Sequence, residues 1–367
     1  MELRITGDHL LEILIRANEQ HPRIGEGDMI VLRDGKLLLA YTEFYEGASD
    51  FSPARIVARI SEDNGVTWSE PFVIQENVGK CNVMSVSLLR LNSGEIAFFY
   101  AVKNSYEDCR FYIKKSSDEG ETWSRPVLVT VDEGYFVMNN DRAVQLSSGR
   151  IIAPVATYQD LTTHSYWKSF IYYSDDGGET WLRSKGEVKL KRVDSPAGLQ
   201  EPGIVELKDG RLLMYMRTAL GYIYTSYSED EGETWSEPKP LNGIKAPLAP
   251  ASIKRIPTTG DLLLVWNDKS EFDLRELKRR KADIVDPEFQ KRTPLSCAIS
   301  RDEGETWRKV LDLEERKECT YCYTSITFKE DFIFFTYYYR EGAGFRNGYS
   351  HLKIKRLLVK NLYSKLG

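Results

Sequence analysis

Positive charge is not in excess in this chain. Lys and Arg number 50 against 55 Asp and Glu, a formal net charge of −5, which excludes the overall basic field that nucleic-acid binding draws on. Long apolar runs are also missing. No stretch approaches the roughly 20 residues that a membrane-spanning helix needs. The opening MELRITGDHLLEIL carries acidic and basic residues where a secretory leader requires an apolar core. The expectation is a chain that meets neither nucleic acid nor membrane and works in the cytoplasm, unless a leader has been removed ahead of it. Histidine is scarce: His9, His21, His164 and His351 are scattered, and no two have metal-ligand spacing. The five cysteines, Cys81, Cys109, Cys297, Cys319 and Cys322, are odd in number and widely spread, which argues for reduced thiols rather than a disulfide framework. Cys319 and Cys322 form a C-x-x-C, but no second pair accompanies them and their surroundings read as a strand. No metal or organic cofactor is called for. No linker interrupts the sequence, so residues 1–367 read as one domain.

What the chain has in abundance is one short segment written five times. SEDNGVTW (61–68), SSDEGETW (116–123), SDDGGETW (174–181), SEDEGETW (228–235) and SRDEGETW (300–307) all obey Ser-x-Asp-x-Gly-x-x-Trp. A repeat of this kind has to be settled before any local assignment. Each copy reads as a hairpin corner: the Asp accepts hydrogen bonds from nearby backbone N–H groups, the Gly supplies positive φ, and the Trp returns into the next strand as a buried plug. The tryptophans lie 55, 58, 54 and 72 residues apart. A unit of that length holds four short antiparallel strands and their loops, one blade of a propeller. Five boxed blades and one unboxed closing blade account for the chain, so the expected fold is all-β, a six-bladed β-propeller. The 12% aromatic content suits sheets packed face to face.

A second repeat runs in phase with the first. Arg33-Asp-Gly35, Asn92-Ser-Gly94, Ser147-Ser-Gly149, Lys208-Asp-Gly210 and Thr259-Gly260-Asp261 each separate two apolar runs, which is a hairpin signal. Blade one is expected to begin at Met29 and the others near Asn82, Asn139, Glu201, Ala251 and Tyr321. Residues 1–20 are expected to form a strand or helical turn that closes the ring beside the last blade. The longest box spacing hides an excursion from Asp268 to Lys291, whose charge density and lack of alternation point to a helical or irregular loop on one rim, either solvated or a lid over substrate.

The repeated segment is the Asp-box, and its arrangement resembles the sialidase (exo-α-neuraminidase) superfamily of six-bladed propellers. The box itself is a folding device and carries no chemistry. A sialidase substrate bears a carboxylate on its anomeric carbon, so the enzyme needs a fixed anion clamp, which three arginines supply through bidentate contacts. A neutral tyrosine whose proton is taken by a glutamate avoids the repulsion an anionic nucleophile would meet, and a separate acid protonates the leaving oxygen. The resemblance implies that Arg23, in PRIG, is the first clamp arginine, although the family's Arg-Ile-Pro has Gly25 in place of proline. It implies Asp50 as the acid, Glu201 as the base, Arg217 and Arg292 as the remaining clamp, and Tyr323 in the Tyr-Thr-Ser run as the nucleophile. Tyr321, two residues earlier, is placed on the same strand face and so beside the substrate.

Two departures point to a divergent branch acting on a different acidic sugar. Glu26 follows Arg23 where the family is apolar, and it is expected either to face the pocket or to be a solvated turn carboxylate. Asp141 and Arg142, in NNDR, occupy an inner position of blade three and are expected to alter the cavity floor. His21 is assigned a supporting place near Arg23. The leading expectation is therefore a retaining exo-glycosidase that hydrolyses a terminal sialic acid or related acidic sugar. The alternatives are a hydrolase or lyase on uronic-acid glycans using the same pocket, or a non-catalytic glycan-binding propeller.

Overall fold

The computed structural model describes residues 1–6, 10–191, 195–342 and 349–364, so His9 lies outside the described residues. The chain is a ring of six antiparallel sheets, a six-bladed β-propeller. Blade one is Arg23–Val31, Leu37–Phe44, Ala54–Ser61 and Phe72–Gln75, hydrogen-bonded in chain order from hub to rim. Blades two, three and four repeat this order. Blade five does so with the excursion inserted between its second and third strands.

Blade six closes the circle with both ends of the chain. Its strands Cys319–Lys329, Phe332–Glu341 and His351–Leu358 are extended by Leu10–Ile15 and Glu2–Thr6. Ile13 pairs with Ile354 in that added ladder, so the N-terminal segment is strand and not helix. Pairing of the N-terminal strands with the C-terminal one ties both ends of the chain into a single blade.

The middle strands are apolar on consecutive residues because both of their faces are covered. Leu38 packs between blades one and two while Leu39 packs between blades six and one. Phe98 and Phe99, Ile151 and Ile152, and Leu213 and Met214 divide in the same way between their two interfaces. The result is one apolar cluster at each junction around the ring, which is why the strands show continuous rather than alternating hydrophobicity.

The five boxes join the third and fourth strands of the first five blades. In the first, the Ser61 hydroxyl donates to Asp63 (2.9 Å) and accepts from the Gly65 N–H (2.8 Å), while Asp63 accepts from the Thr67 N–H (2.8 Å) and hydroxyl (2.6 Å). The other four copies make the same set. The tryptophans enter the cleft between their own blade and the preceding one: Trp68, Trp123 and Trp181 reach the junctions six/one, one/two and two/three. Trp68 and Trp181 are buried, whereas Trp123, Trp235 and Trp307 are half-buried.

The 268–291 excursion is not helical. It forms a two-residue ladder, Arg279–Arg280 with Asp283–Ile284, over a small core of Leu274, Ile284 and Phe289. Asp283 fixes it to the ring by accepting from the Ser195 hydroxyl (2.5 Å) and the Ala197 N–H (2.9 Å). Among the described residues no helix is long and apolar enough to cross a membrane.

Candidate functional site

Four of the six inner strands meet the hub with the same backbone irregularity. Register shifts fall at Gly25/Asp28, Met84/Ser87, Gln200/Gly203 and Cys322/Ser325 in blades one, two, four and six. The first bulged residue in each is non-glycine with positive φ: Glu26 (46°), Ser85 (62°), Glu201 (47°) and Tyr323 (58°). Left-handed backbone at such residues costs on the order of 1–3 kcal/mol each. What it achieves is direction: a bulge re-aims one side chain, and these four line a single cavity of about 190 Å³ at the hub. The bulge also explains why blade one starts at Arg23 rather than Met29, since alternation broken at Glu26 hides the first half of the strand.

Tyr323, Glu201 and Arg217 form one side of this cavity. The Tyr323 hydroxyl donates to Glu201 Oε1 at 3.0 Å, and Arg217 Nη1 lies 3.0 Å from Glu201 Oε2 and 3.4 Å from the phenol oxygen. Gln200 holds the same guanidinium through Oε1, at 2.7 Å from Nη2. Burial pushes the Tyr323 phenol far up, Glu201 adds to the rise, and Arg217 and Arg292 pull against it. The Arg292 guanidinium lies 5.8 Å from the Tyr323 ring centroid and opens onto an adjoining cleft that also touches Trp167 and Gln200. The excursion walls that cleft through Arg280, Asp283 and Gln290.

Arg23 and Asp50 stand on the blade-one side. Arg23 donates to the Tyr338 hydroxyl (2.8 Å), Glu26 (3.0 Å) and Asp50 (2.5 Å). Glu26 accepts a second bond from the Ser85 hydroxyl (2.5 Å) and is buried, so it faces the pocket and is no solvated turn carboxylate. Burial raises its pKa against the pull of Arg23 and Ser85. Asp50 sits on a rim loop with its side chain 64% exposed. Its surroundings push its pKa up by desolvation, but the charges of Arg23 and Lys103 prevail and hold it below the usual value.

Tyr338 accounts for the glycine after Ile24. A Cβ at Gly25 would stand 2.1 Å from the Tyr338 ring, so a side chain there and this phenol exclude one another. Tyr338 also meets the Tyr323 ring edge to face, centroids 5.8 Å apart.

Three expected site residues lie elsewhere. Tyr321 is fully buried between blades five and six, stacked on Tyr339, because the bulge at Tyr323 reverses the face count along the strand. Arg142 is buried below the cavity, donating to Asn139 (2.6 Å), the Ala251 carbonyl (2.6 Å) and Tyr215 (3.1 Å). Asp141 pairs with Lys254 and accepts from the Ile326 N–H (2.9 Å), tying blade three to blades five and six across the axis. Both belong to the hub's plug, and neither lines the cavity. His21 points instead toward Glu43, 3.7 Å away. Among the described residues no cluster of metal-ligating side chains occurs. The five cysteines are free, and burial raises the Cys322 thiol against the pull of Arg292.

The sequence reading missed Ser85, Lys103, Tyr135, Trp167, Gln200 and Tyr338. Gln200 adjoins Glu201, and Ser85 holds the bulge position of its strand, so both had a positional signal. Tyr338, in FTYYYR, looks like any other core aromatic.

The BNR repeat-like domain model matches residues 82–335. A sialidase of Paraclostridium sordellii is 28% identical over 251 residues, 61% of this chain and 59% of that protein. The chain thus spans about three fifths of the length of the first curated relatives it matches. A Dyadobacter fermentans protein of unknown function superposes with a TM-score of 0.74 at 18% identity, covering 95% of this chain and 98% of the other. The intramolecular trans-sialidase of Ruminococcus gnavus gives 0.71 at 16% identity, covering 96% and 98%. The chain belongs to the BNR repeat-like domain family and is a divergent member of the sialidase superfamily.

Proposed function

We propose that this protein is a retaining exo-glycosidase that hydrolyses a terminal sialic acid or a closely related acidic sugar. The observation that carries this reading is the contact of the Tyr323 hydroxyl with Glu201, 3.0 Å, under the Arg217 guanidinium. A phenol driven up by burial is neutral at ordinary pH and needs a base in contact to become a nucleophile. Glu201 is that base.

In the reaction, Tyr323 Oη bonds to the anomeric carbon as its proton passes to Glu201. The bond to the leaving oxygen breaks, and Asp50 delivers a proton to it. Water then attacks the tyrosyl glycoside with Asp50 as base, and Glu201 returns the proton to the departing phenolate. Arg23, Arg217 and Arg292 hold the substrate carboxylate. Asp50 pairs with Arg23, whose charge holds its pKa below the usual value and makes it a poor acid while the pair persists. A carboxylate that takes over Arg23 releases Asp50 and lets its pKa rise, so substrate binding arms the acid.

The test is turnover of an aryl sialoside by the parent and by Tyr323→Phe. The variant is expected to lose turnover by more than the roughly 10²–10⁴-fold typical of a lost acid or base, while still binding the free sugar acid. Unchanged turnover would remove Tyr323 from the mechanism. An unsaturated, ultraviolet-absorbing product from uronate oligosaccharides, with no release from sialosides, would favour elimination instead.

A further inference from the structure

Lys103 ends the second strand of blade two, Ile96–Lys103, and its side chain lines the hub cavity while being 4% exposed. An ammonium group carries three N–H donors and no acceptor. Here it gives one bond to an oxygen, the Asp50 carbonyl at 3.0 Å, and approaches the Met84 sulfur at 3.3 Å. Its other neighbours are the ring faces of Phe51 (4.9 Å) and Tyr135 (5.7 Å). Among the described residues no carboxylate lies within ion-pair distance of it. The other cavity cations with known partners are compensated: Arg23 by Asp50 and Glu26, Arg217 by Glu201.

A buried charge is costly unless it is paired with an opposite charge or fully hydrogen-bonded, and one carbonyl oxygen satisfies only one of the three N–H groups of Lys103. Apart from the Asp50 carbonyl, the neighbours of the ammonium are the Met84 thioether and two aromatic rings, so an oxygen offered there meets it in a weakly screening environment. In a six-bladed ring blade two faces blade five, the blade that supplies Arg292. A sugar held by its carboxylate at the arginines therefore turns its far ring edge toward Lys103.

We infer that Lys103 is a specificity-determining residue that donates to an oxygen on the ring substituent remote from the carboxylate. The substrate it selects is a sugar acid with a hydroxyl or acyl carbonyl at that position, and the deoxy sugar is rejected. A site built around a donor discriminates strongly against the ligand that lacks the acceptor. The inference rests on the proposed function.

The experiment uses the full chain with Tyr323→Phe, so that ligands bind without turnover. Calorimetry measures affinity for a matched set of free nonulosonic acids bearing acylamino, hydroxyl or hydrogen at the ring carbon remote from the carboxylate. The oxygen-bearing acids are expected to bind roughly ten- to a hundredfold tighter than the deoxy acid, the range of a hydrogen bond to a charged group. Adding Lys103→Met should bring that ratio close to one while carboxylate binding persists. Lys103→Gln, which keeps a donor, should restore part of the ratio and decides the matter if the Met variant does not fold. An equal loss for all three acids, the result of a purely structural lysine holding the Asp50 loop, would overturn the inference. Binding of none of the acids to the parent would instead overturn the proposed function.

Discussion

The rim and the hub of this ring repeat in opposite ways. At the rim, five copies of one pattern make the same turn hydrogen bonds five times, each between residues two to four positions apart. At the hub, four blades repeat one backbone bulge but fill it with Glu26, Ser85, Glu201 and Tyr323. The rim conserves side chains because they build the turn. The hub keeps only the geometry, so each position is open to a different chemical part, and the cavity is assembled from unlike residues on like scaffolds.

If that division holds, a hub substitution should remove chemistry and leave the fold alone. Glu201→Gln preserves shape and the contact to Arg217 but cannot take the Tyr323 proton. We expect kcat to fall by about 10²–10⁴-fold, with the melting temperature and affinity for a free sugar acid close to those of the parent. Collapse of the fold instead would mean that the bulge residues are structural, and the contrast between the two regions would dissolve.

A rim substitution should do the reverse. Trp181 is buried between blades two and three, edge-on to Phe99 at 5.8 Å, with its indole N–H on the Gly178 carbonyl at 3.2 Å. Trp181→Ala is expected to cost about 3–5 kcal/mol in chemical denaturation, while kcat/KM of the protein that remains folded stays near the parent value. A loss of turnover larger than the loss of folded protein would show that the rim reaches the cavity.

The same contrast explains what could be read from sequence. The boxes are legible because the bonds that build each turn are local, so spacing and residue type suffice to place the turn and, through its repetition, the ring and its blade count. The N-terminal strand is legible as a closing element because it lies outside the six repeats and has only the last blade left to join. Bulges were not legible. A two-residue period cannot register one extra residue, so from sequence blade one starts at Met29 and Tyr321 falls on the face it turns away from. Asp141 and Arg142 read as cavity residues because sequence gives a residue's blade but not its depth along the axis. Tyr338 was invisible because its hydroxyl finds Arg23 only once blade six is folded against blade one.

The plug beneath the cavity yields the mildest prediction, one that asks whether hub charge is carried for chemistry alone. Asp28 is buried there and accepts from the N–H groups of Met29 and Leu88, both at 2.8 Å. Burial first, and then the negative charge of Asp141, push its pKa up to about 8, with Lys254 pulling against the rise. An unfolded aspartate loses its proton near the ordinary value of about 4. Between those limits the folded state binds the extra proton, so the contribution of Asp28 is fully present below the unfolded pKa and declines as pH rises through the folded one. Denaturation midpoints of the parent should therefore fall from about pH 5 to about pH 9 more steeply than those of Asp28→Asn, whose amide does not titrate. Parallel slopes would mean that Asp28 is ionised in the folded ring and balanced by Lys254. The hub would then hold its acidic plug in charged form beneath a nucleophile that burial keeps neutral.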